Sequence, residues 1–154
     1  MATAYLYFGK PVNADTITGL LGACRTLLYE KDTNGVPLWD HFHIEIASGG
    51  GDLIYGFAGY NLLSDLPIKV TTHNCSAVDS AAIMLFLAGE TRTATTLSAF
   101  HFHQSSWTFA SPGQPINVIN DANKWLERYE EMMAQCVARA GLGNLHRPIS
   151  GISA

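Results

Sequence analysis

Residues 41–63 read His-Phe-His-Ile-Glu-Ile-Ala-Ser-Gly-Gly-Gly-Asp-Leu-Ile-Tyr-Gly-Phe-Ala-Gly-Tyr-Asn-Leu-Leu. The first seven alternate in strand fashion, with Phe42, Ile44 and Ile46 on one face and His41, His43 and Glu45 on the other. Three glycines follow Ser48, a run whose backbone can turn tightly and approach another group closely. From Asp52 to about Leu63 the chain reads as a mostly apolar helix. A strand, a glycine turn and a helix in succession make a βα unit, and the rest of the chain extends that pattern.

Before it, Ala4–Phe8 is a short aromatic strand. Asn13 or Asp15 can cap a helix whose apolar positions Ile17, Leu20, Leu21, Cys24, Leu27 and Leu28 recur at helical spacing. Asp32 to Pro37 is a turn. After it, Pro67–Thr72 reads as a third strand, and Asp79 or Ser80 opens an apolar helix ending at Gly89. Ser98–His103 reads as another strand and Ser111–Pro115 as a loop. Asp121 to about Arg139 is an amphipathic helix carrying Trp125, Leu126, Tyr129, Met132, Met133, Cys136 and Val137 on one stripe. The order predicts βαβαβα crossovers: one α/β domain over residues 1–154, with a mainly parallel sheet covered by helices. Sites in such sheets lie beyond the carboxyl ends of the strands. Ser48–Gly51 and Asn74–Ser80 are expected in that position.

Composition narrows the function classes. The 154 residues are 47% hydrophobic, enough to fill one core. Only 14% are charged, against ~25% in ordinary soluble chains, so some surface is expected to be buried in an oligomer. The net charge of -4 and the lack of a basic run or basic-aromatic stripe argue against nucleic acid. The longest apolar run, Ala81 to Gly89, is short of the ~20 residues that span a bilayer. Met1–Lys10 lacks the basic start and apolar core of a signal peptide. Cys24, Cys75 and Cys136 are odd in number and widely spaced, which fits a reducing cytoplasm.

Three segments carry candidate chemistry. The N–H groups of Ser48-Gly49-Gly50-Gly51 can point at negative charge, although a plain tight turn would use the same residues. A nucleotide-binding loop is disfavoured, because no Gly-Lys-Ser/Thr follows. Ser80 precedes an apolar helix, where the N–H of Ala81 is a natural donor to an oxyanion; a simple helix-capping role is the alternative. The segment is not Gly-x-Ser-x-Gly, so it is not the usual nucleophile elbow. His103 ends a strand at the carboxyl edge, a good place for a general base, or for a histidine without a role.

Taken together, these segments resemble the proteolytic subunit of the Clp protease family. Ile46-Ala47-Ser48-Gly49-Gly50-Gly51-Asp52-Leu53, with Gly56 and Tyr60, is similar to that family's S-P-G-G-x-V…G…Y segment. Ser76-Ala77-Val78-Asp79-Ser80-Ala81-Ala82, running to Leu87-Ala88-Gly89, resembles its A-A-S-M-G…L-x-A-A-G helix, and Phe102-His103-Gln104 its M-I-H-Q-P strand end. Tyr5–Gly9 with Val12 is similar to its first strand, and the resemblance runs from about Tyr5 to Gly141. It implies a fold of repeated β-β-α and βαβ units with a protruding handle helix, the handle region covering about 104–141. It further implies Ser80 as nucleophile, His103 as general base, and the N–H groups of Gly50 and Ala81 as oxyanion donors. Gly49 and Gly51 would form the edge that binds an extended peptide. Trp125, Tyr129 and Met132 of the handle helix would be contacts between rings. The implied activity is serine-type peptide hydrolysis of peptide or unfolded-protein substrates, without cofactor or metal, in a homo-oligomeric ring.

The departures matter as much. Gly49 stands at the proline of S-P-G-G, and Ala81 and Ala82 stand at the methionine and glycine after the serine. The family's triad aspartate follows the handle helix, whereas residues 141–154 contain no Asp or Glu. Another residue in its place, a weak or inactive subunit, and a chain that stops short of the family's end are all consistent with that. The first strand begins almost at Met1, without the family's preceding axial-loop segment, so an AAA+ unfoldase stays a possible partner but a disfavoured one. Three other readings stay open: a catalytically inactive ring subunit, a crotonase-type acyl-CoA-binding enzyme with Asp52 as the nearby carboxylate, and a metal-binding protein. The last uses the i, i+2 pairs His41/His43 and His101/His103, each on one strand face.

Overall fold

The structure, a computed structural model, describes residues 2–141. It falls into two compact units, Met1–Gln104 and Ser105–Ala154. In the first, strands β1 (Thr3–Phe8), β2 (His41–Ser48), β3 (Lys69–Asp79), β4 (Thr91–Ala94) and β5 (Ala99–His101) form one sheet. Helices α1 (Ala14–Tyr29), α2 (Leu53–Ser64) and α3 (Ala82–Leu87) connect the strands. The order is β1-β2-β3-β4 with β5 also on β3, and every pairing is parallel. The second unit contains α4 (Ile116–Arg139).

Local chemistry explains the elements. Asn13 closes a capping box with Thr16, its side chain accepting from the Thr16 N–H at 3.0 Å while Thr16 Oγ1 accepts from the Asn13 N–H at 3.1 Å. Asp52 caps α2 by accepting from the Ile54 N–H at 2.9 Å. Strict alternation along β2 buries Phe42, Ile44 and Ile46 completely. The three helices lie over that face, tied at one point by the Thr72 hydroxyl, which donates to the Phe86 carbonyl at 2.6 Å. Ile17, Leu20, Leu21 and Cys24 supply the buried stripe of α1.

Four sequence expectations need correction. The third strand does not stop at Thr72 but continues to Asp79, so residues 74–79 are strand rather than loop. The continuation carries an irregularity: Ile46 pairs Asn74 while Ser48 pairs Val78, so β3 has two extra residues there. Thr91–Ala94 forms a strand that the Thr-Arg-Thr-Ala sequence does not advertise, and Ser98–His103 contracts to Ala99–His101. The handle helix begins at Ile116, after Pro115, five residues before Asp121. Finally, the helix after Ser80 starts at Ala82 and spans six residues, because Ser80 itself is left-handed.

Candidate active site

β3 changes partner along its length. Thr71–Asn74 pair with β4, and Ala77–Asp79 pair with β5. Asn74, fully buried, holds the changeover. Its carbonyl accepts from the Thr95 N–H at 3.0 Å, its Nδ2 donates to the Ala99 carbonyl at 2.7 Å, and its Oδ1 accepts from the Ser76 N–H at 3.1 Å. β5 is thereby placed so that Asp79 sits beside His101. The Asp79 carboxylate accepts from the His101 N–H at 3.0 Å, and the Ser80 N–H donates to the His101 carbonyl at 3.0 Å.

Ser80 follows in a turn with φ +52°, a region that side chains other than glycine, asparagine and aspartate rarely adopt. Neither Asp79 nor Ser80 caps α3, which has no side-chain cap. Among the described residues the Ser80 hydroxyl makes no hydrogen bond, and no residue accepts from the Ala81 N–H. Both are therefore free to engage a ligand.

The glycine run meets this turn from the other side. Gly50 has φ +86°, and a Cβ there would lie 2.6 Å from the Asp79 carbonyl oxygen, 2.7 Å from Ser80 Cβ and 3.1 Å from the Ala81 nitrogen. Only glycine lets the two segments touch. Gly56 does the same for α2, where a Cβ would lie 2.8 Å from the Ala81 carbonyl oxygen. Beyond the loop, the Val12 N–H donates to the Gly50 carbonyl and the Asp52 N–H to the Val12 carbonyl, both at 2.8 Å. This parallel bridge leaves the N–H and C=O of Gly51 pointing away from Val12. Gly49 has open space where a side chain would be.

Ser48 is a residue that sequence reasoning undervalued. It is 4% exposed, and its hydroxyl donates to the Lys10 carbonyl at 2.7 Å and accepts from the Gly50 N–H at 3.3 Å. The glycine loop is thus pinned from beneath by one buried hydroxyl. Asn74 and Asp79, which the sequence places within the 74–80 segment, hold β5 in position through their side chains. A serine opening a glycine run and a buried asparagine within an apolar strand are the signals that were there.

His103 lies two residues past His101, with their rings 5.6 Å apart. It is exposed, and no hydrogen bond joins it to Ser80. Its Nδ1 is 2.9 Å from the Gln104 carbonyl oxygen. A carbonyl only accepts, so in the neutral imidazole Nδ1 carries the proton and Nε2 keeps its lone pair. The structure therefore brings Gly50, Ser80 and Ala81 together and leaves His103 two residues past the end of β5, without a hydrogen bond to Ser80. Of residues 141–154, the stretch that follows the handle helix and where the family carries its triad acid, all but Gly141 lie outside the described residues.

The histidine pairs have other partners. His41 contacts Thr3 Oγ1 through Nδ1 at 3.2 Å and Thr71 Oγ1 through Nε2 at 2.8 Å, and His73 Nδ1 contacts Thr93 Oγ1 at 2.7 Å. Among the described residues no group of three or more His, Cys, Asp or Glu is placed to hold a metal ion. Asp52, the carboxylate nearest the glycine loop, is engaged in capping α2. No helix among the described residues is long and apolar enough to cross a membrane.

Comparison with known proteins agrees with this architecture. ClpP1 from Listeria monocytogenes superimposes with a TM-score of 0.70 at 18% identity, covering 90% of this chain and 72% of that one. Its N165D mutant gives 0.72 at 19%, covering 88% and 71%. At such identities the likeness concerns the fold. No curated protein sequence matches the chain. The Clp protease family model matches residues 22–147, a span that takes in the glycine loop, the Ser80 turn, the β5 histidines and α4. With more than half of its length matched and the same sheet in three dimensions, this chain belongs to the Clp protease family.

Proposed function

We propose that the chain is a serine peptidase that acts as part of an oligomeric ring, with Ser80 as nucleophile and His103 as general base. The observation that carries the reading is the Ser80 turn: a left-handed serine whose hydroxyl has no partner among the described residues, packed against a glycine that cannot be anything else. Strained backbone held in place by its surroundings is characteristic of working sites.

The chemistry runs as acyl transfer. An extended peptide pairs with the free N–H and C=O of Gly51, and Gly49 leaves room beside it. His103 Nε2 takes the Ser80 proton as Oγ bonds to the scissile carbonyl carbon. The oxyanion accepts from the N–H of Ala81 and from that of Gly50, which exchanges its long bond to Ser48 for a charged acceptor. The imidazolium gives its proton to the leaving amine as the C–N bond breaks, and water repeats the cycle in reverse on the acyl-enzyme. Before any of this, the exposed His103 ring must turn toward Ser80, a tightening on substrate binding that is common at such sites. The Gln104 carbonyl fixes the tautomer but supplies no negative charge to the imidazolium. That observation favours a second reading, a ring subunit without activity.

Treating the purified chain with a fluorophosphonate probe separates the two. Covalent labelling that disappears in Ser80→Ala supports the peptidase. Absence of labelling in the assembled wild type would leave the inactive subunit.

A further inference from the structure

The two histidine pairs at i, i+2 spacing differ in what their rings touch. Both ring nitrogens of His41 sit against threonine hydroxyls, at 3.2 and 2.8 Å, and its ring stands 6.4 Å from that of His43. That pair has little to offer a ligand. His101 and His103 are placed otherwise. His101 ends β5, at the position where the M-I-H-Q-P strand end carries methionine. Both side chains are exposed, and among the described residues the His101 ring makes no hydrogen bond. His103 uses Nδ1 on the Gln104 carbonyl, so its Nε2 lone pair is free.

The geometry of this second pair suits a shared metal ion. The ring centroids are 5.6 Å apart and the planes are inclined at 51°. With a metal–nitrogen bond of about 2.0–2.1 Å, two imidazoles on one ion have centroids about 5–6 Å apart. A ligating histidine characteristically donates its other ring N–H to a carbonyl or carboxylate, which fixes the tautomer and the ring's direction. The Nδ1 contact of His103 to the Gln104 carbonyl, at 2.9 Å, is such a support. The strand beneath is held as well. The His101 N–H is taken by Asp79, its carbonyl by the Ser80 N–H, and the Phe100 ring packs edge-on to Phe86 at 4.8 Å.

We propose that His101 and His103 form a two-ligand site for a divalent transition-metal ion of the zinc class, and that the bound ion silences Ser80. The lone pair that the ion takes from His103 Nε2 is the one that must accept the Ser80 proton, so one ring cannot do both. The silencing rests on the preceding reading of His103 as general base, whereas the site itself does not. No third His, Cys, Asp or Glu among the described residues is placed to join the pair. Water therefore fills the remaining positions, and binding is reversible, unlike that of a closed four-ligand structural site. Imidazole nitrogens favour zinc, copper and nickel, while magnesium and calcium prefer oxygen ligands.

Zinc chloride added to the chelator-treated full chain at pH 7.5 tests both halves. Calorimetry should find one zinc per chain in the micromolar range. Long-range ¹H–¹⁵N spectra of the histidine rings should show His101 and His103 moving while His41, His43 and His73 stay. His101→Gln and His103→Gln, both at exposed positions and checked for folding by circular dichroism, should each weaken zinc by about tenfold or more. The combined His41→Gln, His43→Gln variant should bind as wild type does. Fluorophosphonate labelling of Ser80 is then compared with and without zinc within each variant. Zinc should slow the wild type at least tenfold, a chelator should restore it, and the same concentration of magnesium should do nothing. Whatever rate His101→Gln shows, zinc should not change it. Absence of zinc binding, or binding that survives His101→Gln, overturns the site. Zinc held by the pair without effect on labelling overturns the silencing. Metal-free protein that never labels refutes the hydrolase reading and the silencing with it, while calorimetry and the ring spectra still decide the site.

Discussion

Gly50→Ala bears directly on the Ser80 site. The substitution does two things at once. It places a methyl group 2.6 Å from the Asp79 carbonyl oxygen and 2.7 Å from Ser80 Cβ, distances that real Cβ atoms essentially never show. It also demands φ near +86° of an L side chain, at a cost of about 1–2 kcal/mol. The clash falls on backbone and on Cβ, so no side-chain rotation relieves it, and overpacking adds about 1–3 kcal/mol. Together they lower stability by about 2–5 kcal/mol, a fall in Tm of about 5–15 °C at this chain length. Any relaxation shifts the glycine loop against the Ser80 turn. On the mechanism proposed above, displacing the Gly50 oxyanion donor slows acylation by about 10²–10³-fold. Gly19→Ala is the control: a Cβ there meets nothing within 4 Å, and in a helix alanine gains about 0.5–1 kcal/mol over glycine. Thermal melts and fluorophosphonate labelling rates on the two variants give the comparison. If Gly50→Ala melts and labels like wild type, the close packing of the glycine loop on the Ser80 turn is wrong.

Ser48→Ala leaves the Lys10 carbonyl without its donor and the Gly50 N–H without its acceptor, so stability should fall by about 1–3 kcal/mol in chemical denaturation and labelling of Ser80 should slow. Asn74→Ala should free β5 while leaving β1–β3 paired; faster amide exchange at Ser80, whose N–H is held by His101, reports it. His43 has its protonation disfavoured in the fold, so its contribution is present above the ordinary imidazole value and is lost as pH falls through the lower folded one. Melts of dilute protein from pH 7.5 to 5 should therefore show a decline that His43→Gln reduces. Burial pushes the Cys24 thiol up to about 11. At pH 8 its thiolate is scarcer than an ordinary thiol's by on the order of a hundredfold, and thiol titration of native protein should find it lagging Cys75.

How much of this the sequence carries depends on whether a feature is periodic. Strand β2 alternates so strictly that both of its faces, and the glycine turn after it, are legible from residues 41–51. The cap at Asn13 and the stripe of α1 are legible for the same reason. β3 is not. Its buried positions after Val70 are Thr71, Thr72, Asn74 and Val78, mostly polar, so its second half reads as a loop. Nor does Ser80 look unusual in sequence, since Asp-Ser-Ala-Ala ahead of an apolar run is ordinary helix-start composition. Its left-handed backbone comes from its neighbours in space, Gly50 on one side and His101 on the other. Short β4, Thr-Arg-Thr-Ala, lacks branched apolar residues and pairs with β3, so local propensity gives little sign of it.

An irregularity in β3 is what builds the candidate site. A regular β3 would keep one neighbour along its length and end flush with β2 and β4. With two residues added after Asn74, β3 parts from β4 and gains β5, which pairs from Ala77 onward, ends at His101 and is followed two residues later by His103. Parallel pairing sets His101 beside Asp79, whose carboxylate accepts from the His101 N–H, and therefore a histidine-bearing strand end beside Ser80. The glycine loop of β2 then needs only its own carboxyl end to reach the same point, because β2 and β3 come back into register at Ser48 and Val78. Hydroxyl, imidazole strand and glycine amides thus converge because three neighbouring parallel strands end near one another, and the Asn74 side chain determines where the middle one changes partner.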